Sequence, residues 1–69
     1  MSKIELSSSS IASVEYFSST QTLQVVLRSG GVYQYFDVPE PVFDEFVRAD
    51  SPGTYFNSAI KGVYRYVRV

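Results

Sequence analysis

The chain has 69 residues, 45% of them hydrophobic, with six tyrosines, five phenylalanines and a formal net charge of −1. Cysteine and histidine are both absent, which excludes disulfides, thiolate nucleophiles and the usual zinc, iron and copper ligand sets. No apolar run approaches the roughly 20 residues of a membrane span, so no membrane partner is expected and the expected location is the cytoplasm.

Residues 1–10 are expected to form a flexible lead, because Ser7 to Ser10 is a serine run without an apolar partner. A single domain is expected over residues 11–69. From Ile11 the pattern alternates, with Ala12, Val14 and Tyr16 on one side and Ser13 and Glu15 on the other, the period of a half-buried strand. Ser18-Ser-Thr-Gln21 is a polar loop, after which Leu23, Val25 and Leu27 alternate with Gln24, Val26 and Arg28. That loop length sets Tyr16 opposite Leu23 and Val14 opposite Val25, placing both apolar rows on one face.

Ser29-Gly-Gly31 is a hairpin turn, since glycine accepts the positive φ such turns demand. A three-residue loop would put Tyr33 and Tyr35 on the face of Val25 and Leu27, whereas a two-residue loop would put them with Val26 and Arg28. The first register is favoured, because two tyrosines gain most by packing over the aliphatic row. The result is a three-stranded antiparallel meander.

Val38-Pro39 starts a helix, since proline at the first helical position loses no hydrogen bond. Val42, Phe43, Phe46 and Val47 form its apolar stripe, and Asp44 and Arg48 are spaced to pair. Ser51 caps a second, shorter helix with Pro52 at its first position; Tyr55, Phe56, Ala59 and Ile60 are its apolar residues, and Gly62 ends it. Val63 to Val69 reads as a returning strand, with Tyr64, Tyr66 and Arg68 on one face and Val63, Arg65 and Val67 on the other. The fold class is α+β: a three-stranded meander, two short helices and a C-terminal returning strand.

These residues together resemble the KTSC domain family, a small module found at the C-terminus of some lysyl-tRNA synthetases and as stand-alone bacterial or phage proteins. The resemblance rests on Ser8-Ser-x-Ile-Ala-Ser-Val-x-Tyr16, Leu23-x-Val25, Gly31-Val-Tyr-x-Tyr35, Val38-Pro39, Ser51-Pro-Gly53, Tyr55-Phe-Asn57, Ile60-Lys61 and Tyr64-x-Tyr66. It covers nearly the whole chain. Ser58-Ala59 departs from it, because larger or more basic residues are expected there. The resemblance implies an RNA-binding accessory role, through the association with the synthetase.

Charge supports a local version of that role. Residues 1–50 hold three cations against seven acids, whereas residues 51–69 hold Lys61, Arg65 and Arg68 and no acid. Cations attract phosphate and rings stack on bases, which makes Asn57, Lys61, Tyr64, Arg65, Tyr66 and Arg68 the main nucleic-acid candidates. Arg65 and Arg68 fall on opposite strand faces, so one groove can hold only one of them at full strength. Tyr33 and Tyr35 either present rings for stacking or fill the core. Ser51 and Gly53 either form an anion site at the second helix start or simply cap it. The acids Asp37, Glu40, Asp44 and Glu45 suit the first helix dipole, and no metal site or cofactor is expected; no enzymatic activity is expected either, since no histidine is available to activate a serine and the sequence suggests no buried lysine base. The alternative to RNA is a protein partner or a homodimer, because a small sheet leaves unpaired edges.

Overall fold

The structure, a computed structural model, describes residues 2–69. Five strands form one antiparallel sheet in sequence order: β1 (Ser2–Glu5), β2 (Ile11–Phe17), β3 (Thr22–Leu27), β4 (Val32–Tyr35) and β5 (Tyr66–Arg68). Between β4 and β5 the chain forms α1 (Glu40–Arg48) and α2 (Pro52–Tyr55), which runs directly into a π-helical turn over Phe56–Ile60. The small α+β class is as expected, but the sheet is larger than a three-stranded meander. The meander β2–β3–β4 carries β1 on one side and β5 on the other.

The registers follow from the turns. Tyr16 lies opposite Leu23 and Val14 opposite Val25. Leu27 donates its amide to the Gly31 carbonyl at 2.8 Å, enclosing Arg28, Ser29 and Gly30 as a three-residue loop with Gly30 at φ +108°. Tyr33 therefore meets Val25 and Tyr35 meets Leu23, on the core face. One expectation fails locally. The β2 register shifts between Ile11 and Ser13, so Ala12 is the extra residue of a bulge and leaves the row of Val14 and Tyr16. Ile11 takes the buried place instead, opposite Leu27.

Within residues 1–10, where a flexible lead was expected, Ser2–Glu5 form β1; Met1 lies outside the described residues. Ile4 pairs with Val14 in β1, and Lys3 stands opposite Glu15, unlike charges directly opposed across the strands. The alternation Lys3, Ile4, Glu5, Leu6 is the signal for this strand, and the serine run beside it obscured it. The serines themselves form a turn, in which the Ser8 hydroxyl accepts from the amides of Ser10 and Ile11, each at 3.2 Å. Serine side chains that bond neighbouring amides order a segment that composition alone reads as loose.

Both helices cover one sheet face. Phe46 is fully buried and stacks on Tyr55 and Phe56, with ring centroids 5.8 and 6.1 Å away. Phe43 stacks on Tyr16 at 4.9 Å, and the Tyr16 hydroxyl donates to the Val38 carbonyl at 2.6 Å, tying the start of α1 to β2. Pro39 occupies the cap position of α1 rather than its first turn, with Pro41 inside. Asp44 and Arg48 do not pair; among the described residues the one ion pair joins Arg65 to Asp37. The wide turn closes when the Lys61 amide donates to the Phe56 carbonyl at 2.8 Å, and Ser58 donates its hydroxyl to the Thr54 carbonyl at 3.0 Å. Phe56 and Ile60 thus point into the core while Asn57 and Lys61 point out. The closing strand is only Tyr66–Arg68, because Gly62 at φ +81° and Val63–Arg65 are spent turning the chain back to the sheet. No helix among the described residues is long and apolar enough to cross a membrane.

Three phenols sit where ionisation is unfavourable. Burial pushes Tyr16 upward, helped by the carboxylates of Glu40 and Asp44. Burial also raises Tyr35, followed by its neighbours Tyr66 and Tyr33. Tyr55 is pushed up to about 12 by burial and by its hydrogen bond to Glu45, 2.9 Å long. The folded state thus favours the neutral forms. Their stabilising contribution is whole below the ordinary value of 10.0 and is lost as pH rises through the raised folded values. In an alkaline titration these three should release their protons late, together with loss of the circular dichroism of the fold. Ionisation of Tyr16, Tyr35 and Tyr55 near the ordinary value with the fold intact would contradict this.

Candidate functional site

Strand pairing assembles the tyrosines. Tyr66 stands opposite Tyr35 and Arg68 opposite Tyr33, so all four side chains share the face that the helices cover only in part. The Tyr66 ring lies 5.7 Å from Tyr33 and 5.4 Å from Tyr35, and the Arg68 guanidinium sits 5.8 Å from the Tyr33 ring centre. Burial then divides the roles. Tyr35 is 3% exposed and meets Phe56 edge-on at 5.6 Å, so it belongs to the core. Tyr33 is half-buried, whereas Tyr66 is 56% exposed. Of these three tyrosines, Tyr66 is the one with most of its surface left exposed.

Two clefts open on this side of the molecule. The smaller, of about 130 Å³, is lined by Tyr33, Tyr35, Tyr66, Leu27, Phe56 and Lys61. The larger, of about 270 Å³, lies between the serine turn, the end of β3 and the wide helical turn, and is lined by Ser9, Ser10, Arg28, Ser29, Gly53, Asn57 and Lys61 above Ile11, Leu27 and Phe56. Leu27, Phe56 and Lys61 are common to both. The side chain of Lys61 therefore stands at the junction of an aromatic cleft and a polar one.

The predicted residues separate accordingly. Tyr33, Tyr35, Tyr66 and Lys61 meet in the aromatic cleft with Arg68 at its edge, and Asn57 and Gly53 line the polar one. Arg65 points the other way: its guanidinium lies 3.3 Å from the Asp37 carboxylate and over the Phe36 ring. Both partners are more than three-quarters exposed, so the pair contributes little stability. Tyr64 packs half-buried against the core and lines neither cleft. The Ser51 hydroxyl accepts from the Thr54 amide at 3.4 Å and contacts the Thr54 hydroxyl at 2.9 Å, committing it to the cap. Gly53 has a packing reason of its own, because a Cβ there would lie 2.6 Å from the Ser10 hydroxyl.

Arg28 and the serines were not foreseen as site residues. Arg28 donates from Nε to the Ser8 carbonyl and from Nη2 to the Leu6 carbonyl at 2.8 Å, which holds its guanidinium across the serine turn. No local pattern marks this arginine, since its neighbours in the cleft come from residues as distant as Gly53 and Lys61.

Residues 7–69 match the KTSC domain family. A lysine–tRNA ligase of Trichormus variabilis is 47% identical over 56 residues, which is 81% of this chain and 10% of that protein. The chain thus spans about a tenth of the length of the ligase it matches. An uncharacterized protein of Stutzerimonas stutzeri is 40% identical over 70 residues, covering all of this chain and 99% of its own. Among solved structures, a KTSC domain protein from Yersinia pestis superposes with a TM-score of 0.95 at 34% identity, covering 99% of this chain and 96% of that one.

Proposed function

This chain belongs to the KTSC domain family, and on that premise we propose that it is a small non-catalytic module that binds single-stranded RNA. The observation that carries the reading is Lys61 at the junction of the two clefts, sharing the aromatic one with the exposed ring of Tyr66 and with Tyr33, over which the Arg68 guanidinium sits. A ring takes a base face, and the flanking cations take phosphates on either side of it. The similarity to a segment of lysine–tRNA ligases is consistent with an accessory role beside an RNA substrate. The overall charge of −1 keeps non-specific attraction low, so binding is expected to be local and modest.

Fluorescence polarisation with short RNAs at two salt concentrations tests this. Affinity should fall as salt rises, and Lys61→Ala and Arg68→Ala should each weaken binding while the fold stays intact. Each should also make the salt dependence shallower by about one unit per lost phosphate contact. Absence of binding even in low salt would remove the RNA reading.

A second reading, as a protein-interaction or self-association module, is favoured by the edge strand. Val63, Tyr66, Val67 and Val69 are the large exposed hydrophobics of the described residues, and all lie on or beside β5. An open strand edge with apolar neighbours invites a further strand. Light scattering across a concentration series tests the homomeric form of this reading.

A further inference from the structure

We propose that the polar cleft between the serine turn and the wide helical turn is a site for a phosphate group. Its lining carries two cations, Arg28 and Lys61, with the Asn57 amide and the hydroxyls of Ser9 and Ser29, and it contains no carboxylate. That is a local excess of positive charge in a chain whose acids outnumber its bases. Neither cation is engaged by an acid among the described residues.

Arg28 is the strongest part of the argument. A guanidinium has five N–H donors. Two of them are used on the Ser8 and Leu6 carbonyls, leaving three for a ligand. Those two bonds also fix the plane of the group, so less side-chain freedom is lost on binding than for a mobile surface arginine. Lys61 approaches from the helical side as a compact point charge, and Asn57 adds a donor from the same wide turn. The cleft has a volume of about 270 Å³. It accommodates a phosphate with its immediate substituent and is far too small for a duplex.

The phosphate can belong to an RNA backbone or to a small phosphorylated molecule; the first source rests on the reading above, the second does not. Backbone amide NMR distinguishes them, using inorganic phosphate, a 5′-mononucleotide and a short RNA without a terminal phosphate. Inorganic phosphate should shift the amides of Ser9, Ser29, Gly53 and Asn57. Asn57→Asp places a carboxylate among the cations at an exposed position and should weaken phosphate binding by about tenfold. Lys61→Gln, which keeps much of the side-chain stem, should weaken it as well, and Val63→Ala, at an exposed position that lines neither cleft, should leave it unchanged. No shift at these amides, or equal phosphate affinity in Asn57→Asp and the parent, would overturn the site. If RNA binds the parent and Asn57→Asp alike while inorganic phosphate binds the parent more tightly, the site stands for a small phosphorylated molecule and the RNA-backbone source falls; if neither ligand distinguishes the two proteins, the site falls while the RNA reading stands. If phosphate and the mononucleotide bind but RNA does not, the site stands and the RNA reading falls.

Discussion

Phe46→Ala should leave the protein largely unfolded at room temperature. The ring is fully buried, stacked between Tyr55 and Phe56, and lies in the core cluster with Leu23 and Val25. Truncating such a ring costs about 3–5 kcal/mol in lost transfer energy and cavity formation. A chain of 69 residues has roughly 3–10 kcal/mol of stability, at about 0.05–0.15 kcal/mol per residue. The loss is therefore a large part of the whole. The cavity cannot collapse easily, because its walls are two other rings and a sheet face. Phe46→Leu should recover much of the difference, and Val63→Ala, at a 60% exposed position, should melt like the parent. A cooperative melt of Phe46→Ala near the parent temperature would show that α1 does not depend on this contact.

The tyrosine cluster should split under substitution. Tyr35→Ala removes a ring that is 3% exposed and packed edge-on against Phe56, and should cost about 3–5 kcal/mol. Tyr66→Ala removes a ring that is 56% exposed. Its contacts with Tyr33 and Tyr35 are worth about 1 kcal/mol, so this variant should fold. If RNA stacks on Tyr66, the same substitution should lower affinity by about 1–3 kcal/mol, a loss of roughly fivefold to 150-fold. Thermal melts and polarisation titrations on the two variants check both halves. A Tyr66→Ala variant that folds and binds as the parent does would move the base-stacking role away from this strand.

The hairpin registers were legible in the sequence because they depend on loop length and alternation within about ten residues. The loop Ser18–Gln21 and the three-residue loop before Gly31 put Tyr16, Leu23 and Tyr35 in one row, as the pattern required. The second helix was legible from its punctuation, Ser51-Pro52 at the start and Gly62 at φ +81° after its end. Less legible were elements with weak local signals. β1 is a four-residue strand beside a serine run, and its pairing with β2 is stabilised by a neighbour rather than by propensity. The bulge at Ala12 is likewise invisible locally, because an extra residue in a strand has no composition of its own.

The candidate site divides along the same line. From the sequence, Arg65 and Arg68 were expected on opposite faces of one strand, so that one groove holds only one of them at full strength; in the structure Arg65 lies before β5 and reaches Asp37 instead. By itself the sequence determined that the positive charge gathers after residue 50, and that the motifs are those of the KTSC family. It did not determine which tyrosine is core and which is surface. Tyr35 and Tyr66 occupy opposed positions on neighbouring strands, and only the placement of Phe56 over one of them makes the difference. Nor did it join Arg28 to Lys61, or Ser10 to Gly53. Those groupings exist because the π-helical turn carries Asn57 and Lys61 around to the end of β3, where the serine turn closes against the first turn of α2. Periodicity decides which way a side chain points relative to its own element; only the packing of one element on another decides what it meets there.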